Sequence, residues 1–184
     1  MFRTSLIVLL LATSIFAAEP TWKAGFAPVV ITPDKPMWMS GYASRTAPAD
    51  GKEIDLFAKV AVLRPADGPT LVLVSLDLVG IDLELSKTIC VAIQTKHKLP
   101  RESIVLCCSH THCGPVVGTT LRSMYFLNDE QSKLVAEYTE QLPKFVLKAV
   151  DDAVAKLEPV TLTRGVGTCE FAFGTAAHVC LLLG

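Results

Sequence analysis

The sequence predicts an α/β fold with a mixed, partly parallel sheet flanked by helices, and three observations favour it. Two short apolar runs, residues 57–64 and 70–77, are separated by a Pro-Ala-Asp-Gly-Pro turn, which predicts an antiparallel hairpin. A segment with helical periodicity, residues 83–97, separates the second run from a third at 103–108. A strand, helix and strand of these lengths predict two parallel strands joined by a right-handed crossover. The 184 residues are enough for one domain.

A strand and a long loop precede the hairpin. Residues 22–32 predict a first strand, and Pro28 within it indicates an edge position or a bulge, because proline cannot donate to a sheet. Residues 33–55 contain several prolines and glycines without periodicity, which predicts a loop, and loops beyond about 15 residues are usually functional or disordered. We take Tyr42 and Arg45 in this loop as candidate substrate-binding residues, although a merely packed surface loop fits the pattern as well.

The crossover helix fixes which residues share one edge of the sheet. Asp82 can cap its N-terminus, and Leu-Pro at 99–100 ends it. Because the flanking strands are predicted to be parallel, Asp77 after one and His110 after the other lie at the same edge.

The remaining segments extend the α/β pattern. Residues 118–129 form a predicted loop and a candidate lid, 130–157 a helix that Pro143 must kink or interrupt, and 160–168 a strand. The sequence then closes in apolar residues at 173–184, unlike the polar surface end typical of a finished domain. We therefore expect an incomplete domain from a truncated or frame-altered product.

Composition excludes some partners, and the N-terminus predicts a destination. A formal net charge of −1 gives no electrostatic case for binding nucleic acid or an anionic membrane surface. Arg3, an apolar run at 6–16 and the small residues after it are typical of a signal peptide over residues 1–18, too short for a stable membrane anchor. We expect a secreted or periplasmic protein whose domain covers residues 19–184.

The six cysteines could pair in an oxidising compartment, but their placement favours buried free thiols. Cys90 falls on the core side of the predicted helix, and Cys107 and Cys108 are adjacent in a strand, so that their side chains face opposite ways.

The segment Ser-His-Thr-His-Cys-Gly-Pro at 109–115 is the strongest functional signal. On an extended backbone His110 and His112 project to the same side while Thr111 points away, so that both imidazoles can converge on one metal ion. Two polar residues that merely end a strand are the alternative, since no third ligand is near in sequence. Asp77 is a candidate hydrogen-bond partner for a histidine ring nitrogen, or equally a turn aspartate.

Six short stretches occur in an order that is typical of one known family. They are Ala-Gly-Phe at 24–26, Ile-Thr-Pro at 31–33, Ser-Gly-Tyr-Ala-Ser-Arg at 40–45, Phe-Ala-Lys-Val-Ala-Val-Leu at 57–63, Ser-Leu-Asp-Leu-Val-Gly at 75–80 and Ser-His-Thr-His-Cys-Gly-Pro at 109–115. Together, over residues 22 to about 173, they resemble the N-terminal domain of the neutral/alkaline (non-lysosomal) ceramidases.

The resemblance implies a domain with one zinc ion, Zn²⁺, that activates water to cleave the amide of N-acylsphingosine into sphingosine and a fatty acid. The first histidine of the family's His-Thr-His motif is a zinc ligand, which carries over to His110, with His112 beside it. We therefore take His110 and His112 as metal ligands, and His112 and Asp77 as candidate catalytic residues. The implied partner is a ceramide-like lipid amide, with peripheral membrane contact.

The chain also departs from the family pattern. The family's second histidine, glutamate and tyrosine ligands, and its Gly-Asp-x-Ser-Pro segment with the proposed catalytic serine, come from later in a much longer chain, and none is found here. Cys113 replaces the usual serine, and the surroundings of His178 do not resemble the family's. We expect the polypeptide by itself to be inactive.

Two other functions compete with a zinc amidase. The first is a metal-binding or redox module that uses the cysteines and histidines of residues 107–113, although consecutive positions cannot all face one ion. The second is a secreted, non-catalytic lipid- or metal-binding α/β module in which the aromatic loop at 37–45 contacts lipid or another chain.

Overall fold

The computed structural model describes residues 21–167 and, for the backbone, 179–183. The predicted signal peptide and the rest of the apolar end lie outside the described residues. The strands are β1 (Trp22–Val30), β2 (Phe57–Pro65), β3 (Leu71–Leu76), β4 (Ile104–Cys108), β5 (Glu158–Val160), β6 (Leu162–Val166) and β7 (Val179–Leu183). The helices are α1 (Leu83–His97) and α2 (Asp129–Ala155).

Five strands form one mixed sheet in the order β4-β3-β2-β1-β5. The hairpin of β2 and β3 is antiparallel, with Val60 opposite Val74, whereas β3 and β4 are parallel, with Val74 opposite Leu106. The predicted α/β class, the hairpin and the parallel crossover are therefore confirmed. The strand predicted at 160–168 is wrong in part, because Thr161 separates β5, which joins this sheet, from β6, which pairs with β7.

Pro28 lies where β1 has a neighbour on one side only. It is opposite Lys59 in β2, whereas β5 pairs with β1 only from Trp22 to Ala24. Proline has no N–H to donate, but no described hydrogen bond of the sheet is lost by this. The predicted edge position is confirmed.

Both helices begin at side-chain caps. Asp82 Oδ1 accepts a hydrogen bond of 2.8 Å from Leu85 N, as predicted, and Asn128 Oδ1 accepts one of 2.8 Å from Gln131 N. Pro143 was expected to kink or interrupt this helix; the interruption is wrong, because α2 continues through Pro143, and the kink stays a prediction. Proline in a helix interior costs about 3 kcal/mol, and burial of one face of α2 against the sheet offsets this cost.

The core lies between one face of the sheet and the helices. α2 packs directly over β1, because a side chain on Gly25 would collide with the backbone oxygen of Ala153. Val72 and Val74 of β3 are fully buried on this face, while Leu73 on the other is 38 % exposed. Although both faces of β3 are apolar, the described residues therefore cover one of them and leave the other in contact with solvent. Neither described helix combines the length and apolar character needed to span a membrane.

Candidate metal centre

The histidine segment leaves the sheet where the parallel strands β3 and β4 end. Leu76 is opposite Cys108, and Ser109 N donates a hydrogen bond of 2.9 Å to Leu76 O. His110 then has φ of +59°, in the left-handed region, so that the backbone is not extended here. The predicted alternation of side chains is therefore wrong. The turn nevertheless brings the rings of His110 and His112 together, with centroids 5.0 Å apart and an interplanar angle of 73°.

One ring nitrogen of His110 is held by the backbone. His110 Nδ1 lies 2.8 Å from the carbonyl oxygen of Val79, in the connection between β3 and α1. Because a carbonyl only accepts hydrogen bonds, Nδ1 carries the proton and Nε2 keeps a free lone pair. An imidazole with its distal nitrogen bonded to a backbone carbonyl is the usual arrangement of a metal ligand.

The ring of His112 is half-buried against the loop at 33–55. Its centroid lies 4.5 Å from that of Tyr42, in an edge-on arrangement. Its Nδ1 is shielded from solvent and has no hydrogen-bond partner among the described residues. A buried polar atom without a partner is unfavourable, and this nitrogen lies against the backbone of Gly41.

The separation of the two rings matches that of two imidazoles on one zinc ion. With zinc–nitrogen distances of about 2.0–2.1 Å and tetrahedral angles, two imidazoles on one ion have centroids roughly 5 Å apart. In the described part of the chain, no group of three or more His, Cys, Asp or Glu side chains is placed to hold a metal. A catalytic zinc needs three protein ligands, and the described residues bring together two imidazoles, without a cysteine or carboxylate beside them.

The free thiols differ in their surroundings. Cys90 is buried, as predicted, whereas Cys107 and Cys113 are exposed, so that the prediction of buried thiols is wrong for these two. Burial raises the pKa of the half-buried Cys108 thiol. Cys107 faces away from the helices and its Sγ lies 3.2 Å from Val74 O, which leaves it bonded to the sheet and not to the histidines.

Asp77 lies at the predicted edge of the sheet but does not contact the histidines. Its carboxylate accepts hydrogen bonds of 3.0 Å from Phe57 N and from Lys59 Nζ. The side chain thus turns toward β2, while the backbone of Val79 takes the histidine nitrogen that Asp77 was expected to bind. The predicted contact is wrong, and the assignment of Asp77 to catalysis stays a prediction.

Tyr42 lies beside the histidine pair, against His112, and Arg45 lies against Tyr42. The Tyr42 side chain is 53 % exposed. The guanidinium carbon of Arg45 lies 5.0 Å from the centroid of the Tyr42 ring, and its Nη1 donates a hydrogen bond of 2.7 Å to Ser40 O. The structure therefore brings together four of the five predicted site residues and leaves Asp77 apart.

Sequence reasoning missed the contact of Tyr125 with the loop beside the histidine pair. Tyr125 was predicted only as part of a candidate lid, yet its ring is buried and its hydroxyl bonds to Ser40 and Gly41, beside the histidine pair. The sequence signal for this contact was a tyrosine in a polar loop between two elements. Such a tyrosine, when buried, needs a hydrogen-bond partner for its hydroxyl. The loop is also anchored at its start, where Asp82 Oδ2 accepts from Thr119 N at 2.6 Å.

An open groove of about 420 Å³ adjoins this cluster. Its lining residues are Trp38, Arg45, Thr46, Ala47, Pro48, Phe126, Asn128 and Gln131. The groove shares Arg45 with the cluster, although neither histidine lines it. Phe126 is 85 % exposed at its rim, which gives the groove an apolar border.

No protein-family model and no curated protein matches this sequence. Among solved structures, the fold is similar to neutral ceramidase from Pseudomonas aeruginosa, with a TM-score of 0.65 and 22 % identity over 82 % of this chain and 24 % of that one. It is also similar to a ceramidase complexed with C2, with a TM-score of 0.66 and 23 % identity over 81 % and 23 % of the two chains. The fold is that of a neutral ceramidase-like domain, and the chain spans about a quarter of those ceramidases.

Proposed function

We propose that this domain carries the histidine part of the zinc centre of a ceramide amidohydrolase. The observation that supports the proposal most is the 5.0 Å separation of the His110 and His112 rings at the carboxyl edge of two parallel strands. That edge is where α/β sheets usually bind ligands. The likeness of the fold to two ceramidases directs the proposal to an amide of sphingosine.

In this proposal His110 binds the metal through Nε2, since Val79 O fixes its other nitrogen, and His112 supplies the second nitrogen. A bound zinc supplies a Lewis acid that lowers the pKa of water to about 7 and polarises the amide carbonyl. The remaining ligands come from outside the described residues. Two imidazoles hold zinc only weakly, so we propose that the 184-residue polypeptide does not hydrolyse ceramide by itself.

Tyr42 and Arg45 are proposed to bind the polar part of a lipid amide. Tyr42 reaches solvent next to His112, and the Arg45 guanidinium beside it offers several N–H donors for hydroxyl or carbonyl oxygens. Contact of the loop at 37–45 with a membrane rests on Tyr42, because Met37 and Trp38 are buried in the core.

The test is zinc binding and ceramide hydrolysis by the whole purified polypeptide. Wild type is expected to bind one zinc ion. His110→Ala and His112→Ala are each expected to bind zinc at least tenfold more weakly. None of the three proteins is expected to release fatty acid from a fluorescent ceramide. The matched control is His97→Gln, since His97 lies at the opposite end of α1 and bonds to Asp151.

Zinc binding that both alanine variants leave unchanged would contradict the proposed centre. Hydrolysis that is lost in His110→Ala would support the activity and overturn the expected inactivity of the polypeptide.

We also propose export of the protein, on the leader-like residues 1–18. N-terminal sequencing of protein recovered from the culture medium or periplasm is expected to begin near residue 19. Recovery from the cytoplasm with residue 1 intact would contradict export.

A further inference from the structure

We infer that Tyr125 is a positioning residue for the histidine pair: its hydroxyl fixes the backbone at Ser40 and Gly41, and this backbone sets the place of the His112 ring. The inference rests on the proposed function in one respect only, namely that the pair binds zinc. It concerns the geometry of the ring, which can be measured without metal.

The first step is the contact of Tyr125 with the loop at 33–55. Its side chain is 5 % exposed, and the hydroxyl oxygen accepts a hydrogen bond of 2.8 Å from Gly41 N. The same hydroxyl shares a hydrogen bond of 2.6 Å with Ser40 Oγ, which is 2 % exposed. Because Ser40 is buried and Gly41 is half-buried, removal of the hydroxyl leaves both polar groups without this partner, and the loop must shift to regain one.

The second step is the contact of the same loop with His112. Gly41 has φ of +104°, and a Cβ at this position would lie 2.6 Å from His112 Nδ1 and closer still to its Cγ. The absence of a side chain therefore lets the imidazole pack directly on the backbone that Tyr125 holds. Tyr42, the next residue, covers another side of the ring.

The third step is that the loop and the histidine segment are joined by their backbones. Ser40 N donates to Gly114 O at 2.9 Å, and Val116 N donates to Trp38 O at 2.8 Å. These bonds start two residues after His112. A shift of the loop on loss of the Tyr125 hydroxyl is therefore transmitted to His112 through the backbone as well as through ring packing, while His110 stays fixed on Val79 O.

The test compares Tyr125→Phe with Tyr138→Phe in the whole polypeptide. Tyr138 is an equally buried tyrosine whose hydroxyl donates to Ile31 O at 2.5 Å, in the core between α2 and β1, so it is a matched control. The first readout is the NMR shifts of the His112 ring in metal-free protein. The second is the dissociation constant for Zn²⁺, which loss of a partner that orients a ligand typically raises 10–100-fold.

We expect Tyr125→Phe to move the His112 ring signals and to weaken zinc binding about tenfold, and Tyr138→Phe to change neither. Unchanged His112 signals in a folded Tyr125→Phe protein would overturn the inference, whatever the zinc affinity. Equal changes in both variants would reduce Tyr125 to a general stabilising role and would also overturn it. If Tyr125→Phe does not fold, Ser40→Ala decides the matter by the same His112 signals. Absence of zinc binding by wild type would contradict the proposed function, and the metal-free signals would still decide the inference.

Discussion

At the scale of single residues, the histidine pair depends on one unusual backbone conformation. The sequence allowed the prediction that His110 and His112 lie together, but not how they do so. The prediction assumed an extended backbone, whereas His110 has φ of +59°. Only a minority of non-glycine residues adopt this conformation, and local propensity does not indicate it. Contacts between residues that are distant in sequence, such as His110 Nδ1 with Val79 O, stabilise this conformation.

Asp82 combines two roles that the sequence revealed only in part. It was predicted as the cap of α1, and it also binds the start of the loop at 118–129 through Thr119 N and Thr119 Oγ1, at 2.6 and 2.8 Å. Hydrogen bonds hold the pKa of this carboxyl below its ordinary value. The largest effect comes from the N–H of Leu85, and smaller ones come from the N–H and hydroxyl of Thr119. The ionised form therefore stabilises the folded state.

Asp82→Ala is expected to lower the free energy of unfolding at pH 7 by about 1–2 kcal/mol, the usual effect of a lost N-cap. A folded-state pKa below the unfolded one means that the contribution is complete above about pH 4 and is lost as the pH falls through the folded value. The difference between variant and wild type should therefore shrink below about pH 4. Urea denaturation at several pH values measures it, with the exposed turn residue Asp67→Ala as control. A difference that does not change with pH would contradict this role of the carboxylate.

At the scale of elements, helix periodicity and caps predicted α1 and α2 to within two residues at each end. The interruption expected at Pro143 was the exception, because the rule that proline breaks a helix ignores tertiary contacts. Both Leu142 and Pro143 are buried in α2, and helices in proteins owe most of their stability to such packing. The short strand β5 was equally beyond sequence reasoning, since it pairs with β1 across more than 130 residues of chain.

Pro143→Ala is expected to stabilise the protein by about 1 kcal/mol. Alanine relieves a helix penalty of about 3 kcal/mol, while loss of two buried methylenes removes roughly 1.6 kcal/mol of apolar burial. The measurement is the midpoint of urea unfolding, with the exposed neighbour Lys144→Ala as control, for which a change of only a few tenths of a kcal/mol is expected. A clear loss of stability in Pro143→Ala would mean that its ring matters more to the core than to the helix.

At the scale of the whole molecule, the sheet presents an apolar row on the side away from the helices. The pairing register aligns Phe26 with Ala61, Leu73 and Val105 across four strands. Phe26, Leu73 and Val105 are 46 %, 38 % and 48 % exposed. A contiguous apolar surface of this kind lowers solubility.

Leu73→Lys is therefore expected to raise the solubility of the polypeptide and to change its free energy of unfolding by less than about 1 kcal/mol. Its neighbour Val74 points into the core, so Val74→Lys is the contrasting control and should prevent folding. Light scattering and urea denaturation measure the two properties. A Leu73→Lys protein as unstable as a core variant would show that this face is covered.

The sheet order near the site followed from sequence because hairpins and crossovers are local rules. The hydrogen bonds of Tyr125 with Ser40 and Gly41 did not follow from sequence, because they join residues more than 80 positions apart. Periodicity and turn chemistry carry no information on such a contact. The family resemblance predicts that the two histidines share a site, and the structure adds the contacts that hold their rings.

The most direct test of the central claim is X-ray absorption spectroscopy of the zinc-loaded polypeptide. If His110 and His112 bind one ion, the spectrum will show two imidazole nitrogens per zinc at about 2.0–2.1 Å, and the spectrum of His112→Ala will show one. Sulfur at about 2.3 Å, or an imidazole count that neither histidine substitution alters, would contradict the account.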